Sequence, residues 1–149
     1  MIVIDHHDIA YVRDQIGEVK GKITGQRVLD IDEVGLPKIE YSFSANGRMK
    51  EVDITHIATF STIPRGNGIL YGEGQGVITT RDGSAEMATE IGRGIGQFTD
   101  GGKKVKFRGS FFYRASPTGR LAFLNNLVGV FEYEVDEAGN TQHKVWEWK

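Results

Sequence analysis

The sequence predicts an all-β protein, an eight-stranded antiparallel up-and-down β-barrel with a short N-terminal helix or arm. Three observations carry this. Apolar and polar residues alternate with period two over most of the chain after Ile23, placing one set of side chains on each face of a sheet. Turn signals recur at short intervals, joining strands in sequence order. Glycine occupies every second position at Gly72, Gly74 and Gly76, and again at Gly92, Gly94 and Gly96. A helix would scatter such glycines around its circumference, whereas a strand puts all three on one face. Bare rows of this kind suit a sharply curved sheet, or one that a side chain or ligand lies against.

Residues 1–21 read as an arm or a short helix: Ile9, Val12 and Ile16 repeat at helical spacing behind Asp8, and Gly17 is a stop. Strand one follows from Ile23 to Leu29, and strand two spans Lys38 to Ser44 with Ile39, Tyr41 and Phe43 on one face. Asn46-Gly47 is a hairpin signal, and strand three leaves it through Val52, Ile54, His56, Ala58 and Phe60. The breaker cluster Ile63 to Gly68 reads as a loop.

Strands four and five form the glycine hairpin, with a two-residue turn expected at Asp82-Gly83. That turn pairs Ile78 with Met87, Gly76 with Thr89 and Gly74 with Ile91. It sets Arg93 and Gln97 on the face of the first glycine row. In the opposite orientation of the hairpin, Glu73, Gln75 and Glu90 line the interior instead. Strand six alternates Val105, Phe107, Gly109, Phe111 and Tyr113 with Lys104, Lys106 and Arg108. The leucines at 121, 124 and 127 suggest a helical turn or an irregular crossing. Strand seven runs from Val128 to Val135, and strand eight ends at Trp148, with Trp146 and Trp148 sharing a face.

A length of 149 residues fits one domain with a sizeable core. A net charge of −2 gives no general attraction to nucleic acid or to an anionic membrane. The absence of cysteine excludes disulfide and thiolate chemistry. The N-terminus carries no signal-like or membrane-spanning apolar run, so a cytoplasmic protein is expected.

Gly-Lys-Ile-Thr-Gly-Gln-Arg-Val-Leu at 21–29, Gly-Glu-Gly-Gln-Gly-Val-Ile-Thr-Thr at 72–80 and Leu-Asn-Asn-Leu-Val-Gly-Val-Phe-Glu-Tyr-Glu-Val at 124–135 resemble the wall strands of small allene oxide cyclase-like (calycin-type) barrels. The resemblance covers most of 20–148 as a strand pattern. It implies an eight-stranded barrel with an apolar cavity, often in a homodimer or homotrimer, in a superfamily that includes plant and bacterial cyclases. The cyclases' catalytic residues match no positions here, so none is carried over.

Several motifs lose their chemistry in context. The glycine rows lack the strand-to-helix setting that a phosphate loop needs. His6-His7-Asp8 would point to opposite faces of a strand, and Glu51 and Asp53 do not share a face with His56, so no metal site and no cofactor is expected. The basic residues of strand six oppose its aromatics, which reads as a solvated outer face rather than a nucleic-acid platform.

The functional lead is the aromatic stripe: Tyr41, Phe111, Phe131 and Tyr133 head it as ligand-binding candidates. It reads either as a filled core or as the wall of a pocket that the glycines hollow out. His56, Arg93, Gln97 and Tyr113 are the polar candidates. Arg93 would anchor a carboxylate, with Tyr113 or His56 handling a proton; alternatively Arg93 pairs with Glu90 or Glu73 at the rim. The expected ligand is small and hydrophobic, a lipid-like or polyketide-like substrate for a cyclase or isomerase, or the cargo of a carrier or sensor. A void smaller than the ~300–1,000 Å³ of ligand sites would reject the cyclase and carrier readings and leave a filled barrel acting as an oligomeric interaction module.

Overall fold

The computed structural model describes residues 14–149. The strands are β1 (Gln15–Ile31), β2 (Pro37–Met49), β3 (Val52–Gly66), β4 (Ile69–Thr80), β5 (Met87–Thr99), β6 (Lys104–Ala115), β7 (Val128–Asp136) and β8 (Asn140–Glu147). Each is antiparallel to the next, and β1 closes the barrel against β8. The predicted fold class is therefore the observed one. The expected helix falls partly on residues 9–13, outside the described residues, and Gln15 to Gly21, read as arm, is already strand.

Local chemistry explains most turns. Asp32 Oδ1 accepts from the backbone N–H groups of Val34 and Leu36, and Gly35 takes a positive φ of 84°. Asp136 does the same for Ala138 and Asn140. Asn67 and Gly68, both at positive φ, form the β3–β4 turn, so Ile63 to Gly66 is strand rather than loop. Asn46-Gly47 is not a turn; β2 continues to Met49. Gly47 faces β1 so closely that a β-carbon there would collide with the Glu18 carbonyl. Its glycine serves close approach.

The decisive correction concerns the β4–β5 hairpin. Its connection runs from Arg81 to Glu86, with Thr80 Oγ1 accepting from Glu86 N–H and Asp82 Oδ1 from Ser84 N–H. Ile78 pairs with Ala88, Gly76 with Glu90, Gly74 with Gly92 and Gly72 with Gly94. This is one residue off the register that a tight Asp82-Gly83 turn dictates, and a one-residue slip exchanges the faces of the second strand. Both glycine rows thus face inward, with Gly72 and Gly74 directly opposite Gly94 and Gly92.

The interior is built on that bare wall. β-Carbons on Gly72 and Gly96 would lie 3.0 and 2.6 Å from the Phe107 ring, and one on Gly94 3.1 Å from Phe131. One on Gly92 would collide with the Phe111 ring. The rings of Phe107, Phe111 and Phe131 therefore lie on backbone where other sheets carry side chains. One end of the barrel is plugged by the β6–β7 connection, where a 3-10 turn (Ala122–Leu124) buries Leu121, Leu124 and Leu127 with Ile54, Ile78 and Val145. This is the helical turn that the leucine spacing predicts. At the other end β1 continues past its last β8 partner, Lys22, paired with β2 alone.

Gly92→Ala should destabilise the fold by about 1–3 kcal/mol by overpacking against Phe111. Gly25→Ala, whose β-carbon would meet nothing within 4 Å, should be neutral or slightly stabilising. Urea unfolding midpoints of the two variants check the contrast.

Candidate functional site

On the barrel's inner face, midway between the leucine plug and the open end, the apolar pattern is broken by His56 of β3, Glu90 of β5, Tyr113 of β6, Tyr133 of β7 and His143 of β8. All five are buried. Strand alternation accounts for the placement: each shares a face with core residues two positions away, such as Ile54 for His56 and Val145 for His143. Gly76 gives the cluster its room, since a β-carbon there would lie 2.6 Å from Glu90 Oε1 and 2.9 Å from His56 Nε2.

His56 Nε2 and Glu90 Oε1 form a buried hydrogen-bonded pair. Burial pushes the Glu90 carboxyl upward, but the neighbouring His56 imidazole outweighs it. The group is held below its ordinary value and is ionised, so His56 Nε2–H donates to it. Burial, with a smaller push from the nearby His56, holds His143 down to about 3, partly offset by Glu90, which leaves a neutral imidazole at physiological pH. Burial, and then the neighbouring Glu90 carboxylate, push Tyr113 well up; burial pushes Tyr133 up as well.

Five polar atoms of this cluster have no hydrogen-bond partner: Glu90 Oε2, the hydroxyls of Tyr113 and Tyr133, and both nitrogens of His143. Glu90, Tyr133 and His143 border a chamber of about 60 Å³, walled by Phe43, Phe60, Phe107, Phe111 and Phe131 and floored by the glycine backbone of β4 and β5. A second void of about 10 Å³ lies among His56, Glu90, Tyr113 and His143. The rings pack edge-on and stacked, with His143 at 5.0 Å from Phe111, 5.4 Å from Tyr133 and 5.6 Å from His56 between centroids. The chamber is far smaller than the ~300–1,000 Å³ of ordinary ligand sites.

Of the sequence-derived candidates, His56, Phe111, Tyr113, Phe131 and Tyr133 meet in this interior. Tyr41 stacks on Phe60 nearer the open end, at 5.3 Å, and is only partly buried. Arg93 and Gln97 face outward, contrary to the register expected for them. The Arg93 side chain is 72 % exposed and lies 3.9 Å from Glu73, itself on the outer face with Gln75. Among the described residues no arginine is buried to anchor a carboxylate. Trp146 also faces outward, and Trp148 is exposed beyond β8. The site residues that sequence reasoning passed over are Glu90, present there only in an alternative orientation, and His143. The available signal was a polar residue in register with Thr141 and Val145 on the last strand.

Lys104 and Lys106 pair across the outer wall with Glu134 and Glu132, at 3.2 and 3.5 Å. Among the described residues, no group of three His, Asp or Glu side chains is placed to hold a metal ion, and no helix is long and apolar enough to cross a membrane.

Solved structures with the same fold include a protein of unknown function from Clostridium acetobutylicum ATCC 824 (TM-score 0.74, 12 % identity, covering 91 % of this chain and 98 % of that one). A conserved protein of unknown function from Rhodopseudomonas palustris is similar (TM-score 0.72, 10 % identity, covering 90 % and 95 %). At such identities the likeness is one of fold. No protein-family model and no curated protein matches the chain.

The chemistry of His143 sets a pH dependence. Between its ordinary value of 6.5 and about 3, the unfolded chain binds a proton there that the folded chain refuses. That contribution to stability is fully present above pH 6.5 and falls away as pH drops toward 3, by a few kcal/mol in all. His143→Phe should flatten this acid-side decline, measured as denaturant midpoints from pH 7 to pH 4.

Proposed function

We propose that the barrel binds a small, neutral, hydrogen-bonding molecule in the chamber beside Glu90, Tyr133 and His143. The observation that carries this reading is the set of unpartnered polar atoms around that space. A buried polar atom without a partner costs about 1–3 kcal/mol, and a barrel that was only a filled scaffold would gain by replacing Tyr133 with Phe. Four such atoms, on the three residues Glu90, Tyr133 and His143 that border one void, are explained by a ligand that meets them.

Size and charge narrow the ligand. By the measure in which one water needs ~10–15 Å³, the chamber holds roughly four to six non-hydrogen atoms. That revises the expected lipid-like or polyketide-like substrate, which has no room with the rings packed as they are. The ionised Glu90 disfavours an anion, and the outward Arg93 offers none a partner. The aromatic walls still make the site largely apolar, as a pocket of the allene oxide cyclase-like kind would be.

The measurement is a titration of the protein with hydroxyacetone or acetamide, followed through the His56 and His143 imidazole resonances. Saturable shifts are expected, weakened in Tyr133→Phe even though that variant should be about 1 kcal/mol more stable. No saturable shift with either probe would refute the reading.

A second reading concerns assembly, and a specific surface favours it. Ile57, Met87, Ile91 and Phe112 are each more than half exposed on the outer wall, with Ile91 directly opposite Phe112 on the neighbouring strand. A patch of this kind on the closed wall suits a face-to-face, two-fold contact with a second copy. Light scattering should then give twice the mass of the chain, and Phe112→Arg should give the monomer. A monomeric wild type would end this reading.

A further inference from the structure

We propose that the chamber catalyses proton transfer at the carbon next to a carbonyl group, with Glu90 as the base and Tyr133 and His143 as donors to the carbonyl oxygen. The proposal rests on the small-ligand reading and names the class of molecule as a small neutral enolisable ketone or aldehyde.

Enolisation requires three things, and the cluster supplies each from a different strand. The first is a carboxylate with one oxygen fixed and the other free. Glu90 Oε1 is held by His56 Nε2–H, and Oε2 is unpartnered beside the chamber. The second is a pair of donors for the oxygen on which charge develops. Tyr133 presents an unpartnered hydroxyl, and His143 an unpartnered imidazole with one N–H in either tautomer. A neutral imidazole suits this role, since it polarises a carbonyl without adding a second buried charge. The third is an apolar setting. Phe43, Phe60, Phe107, Phe111 and Phe131 line the space, which strengthens each polar contact within it.

The step balances without a co-reactant. The C–H bond α to the carbonyl breaks and its proton goes to Glu90 Oε2. The C–H electron pair becomes the new C=C bond, and the carbonyl π pair moves onto oxygen, where Tyr133 O–H and His143 N–H hold the enolate. Return of the proton from Glu90 to carbon regenerates the ketone. Protonation on oxygen releases the enol. Tyr113 stays outside the scheme, since it lines the smaller void and not the chamber.

The test uses hydroxyacetone in D₂O, reading loss of its α-proton signals by NMR. The wild type should accelerate exchange about 10²–10⁴-fold over buffer, the usual reach of a positioned acid or base. Glu90→Gln should abolish the acceleration, and Tyr133→Phe should lower it about 10-fold or more. If Glu90→Gln does not fold, Tyr133→Phe decides alone, because it removes only an unpartnered hydroxyl. Saturable imidazole shifts without accelerated exchange would overturn proton transfer and leave the binding reading intact. Neither shifts nor exchange would overturn both. Exchange unchanged in the variants would overturn the assignment of these residues.

Discussion

The structure depends on a match between bare backbone and aromatic rings. An eight-stranded barrel is narrow, and side chains from every strand compete for its axis. Here β4 and β5 withdraw from the competition: inward positions Gly72, Gly74, Gly76, Gly92, Gly94 and Gly96 carry nothing. The volume they give up is taken by Phe107, Phe111 and Phe131 from β6 and β7, whose rings reach across and lie on the glycine wall. The same withdrawal at Gly76 makes space for the hydrogen-bonded Glu90 and His56. Packing and polar chemistry are thus two uses of one feature.

That feature also sets the energetic character of the middle of the barrel. The leucine plug and its neighbours form an ordinary apolar core, each fully buried side chain contributing about 1.5–3 kcal/mol. The layer above it works against stability. A buried carboxylate must be desolvated, and its partner His56 recovers that cost only through close geometry. His143 adds two unpartnered nitrogens, and the tyrosines add two unpartnered hydroxyls. A fold that tolerates such a layer at its centre, with a strong core beneath it, has the structure expected of a scaffold carrying a site.

The fold was legible because period-two alternation and turn residues are local signals. Strand six could be read residue by residue, since Val105, Phe107, Phe111 and Tyr113 face in and Lys104, Lys106 and Arg108 face out. The site was legible only in part. His56, Tyr113 and Tyr133 stood out as polar groups on apolar faces, which is a local property too. Arg93 was misplaced because its face depends on a single integer, the register of the β4–β5 hairpin. That integer is set by Thr80, Asp82, Ser84 and Glu86 closing a wider connection than Asp82-Gly83 alone suggests. His143 went unseen because its significance lies in what surrounds it: Phe111 and His56 from strands distant in sequence, with Tyr133 from the neighbouring β7, close around its ring.

The register also bears on what kind of ligand the barrel can hold. Had the glycine rows faced opposite ways, one would have hollowed the interior while Arg93 and Gln97 projected into it, giving a polar anchor at the wall of a wide pocket. With both rows inward the bare area doubles, yet the pocket becomes smaller, because flat backbone on two adjacent strands admits whole rings rather than leaving space. A lipid-sized cavity and a glycine-lined wall are therefore alternatives in this barrel. What survives is a small gap where the rings give way to Glu90, Tyr133 and His143, and its chemistry is that of a carboxylate, a phenol and an imidazole held apart from water.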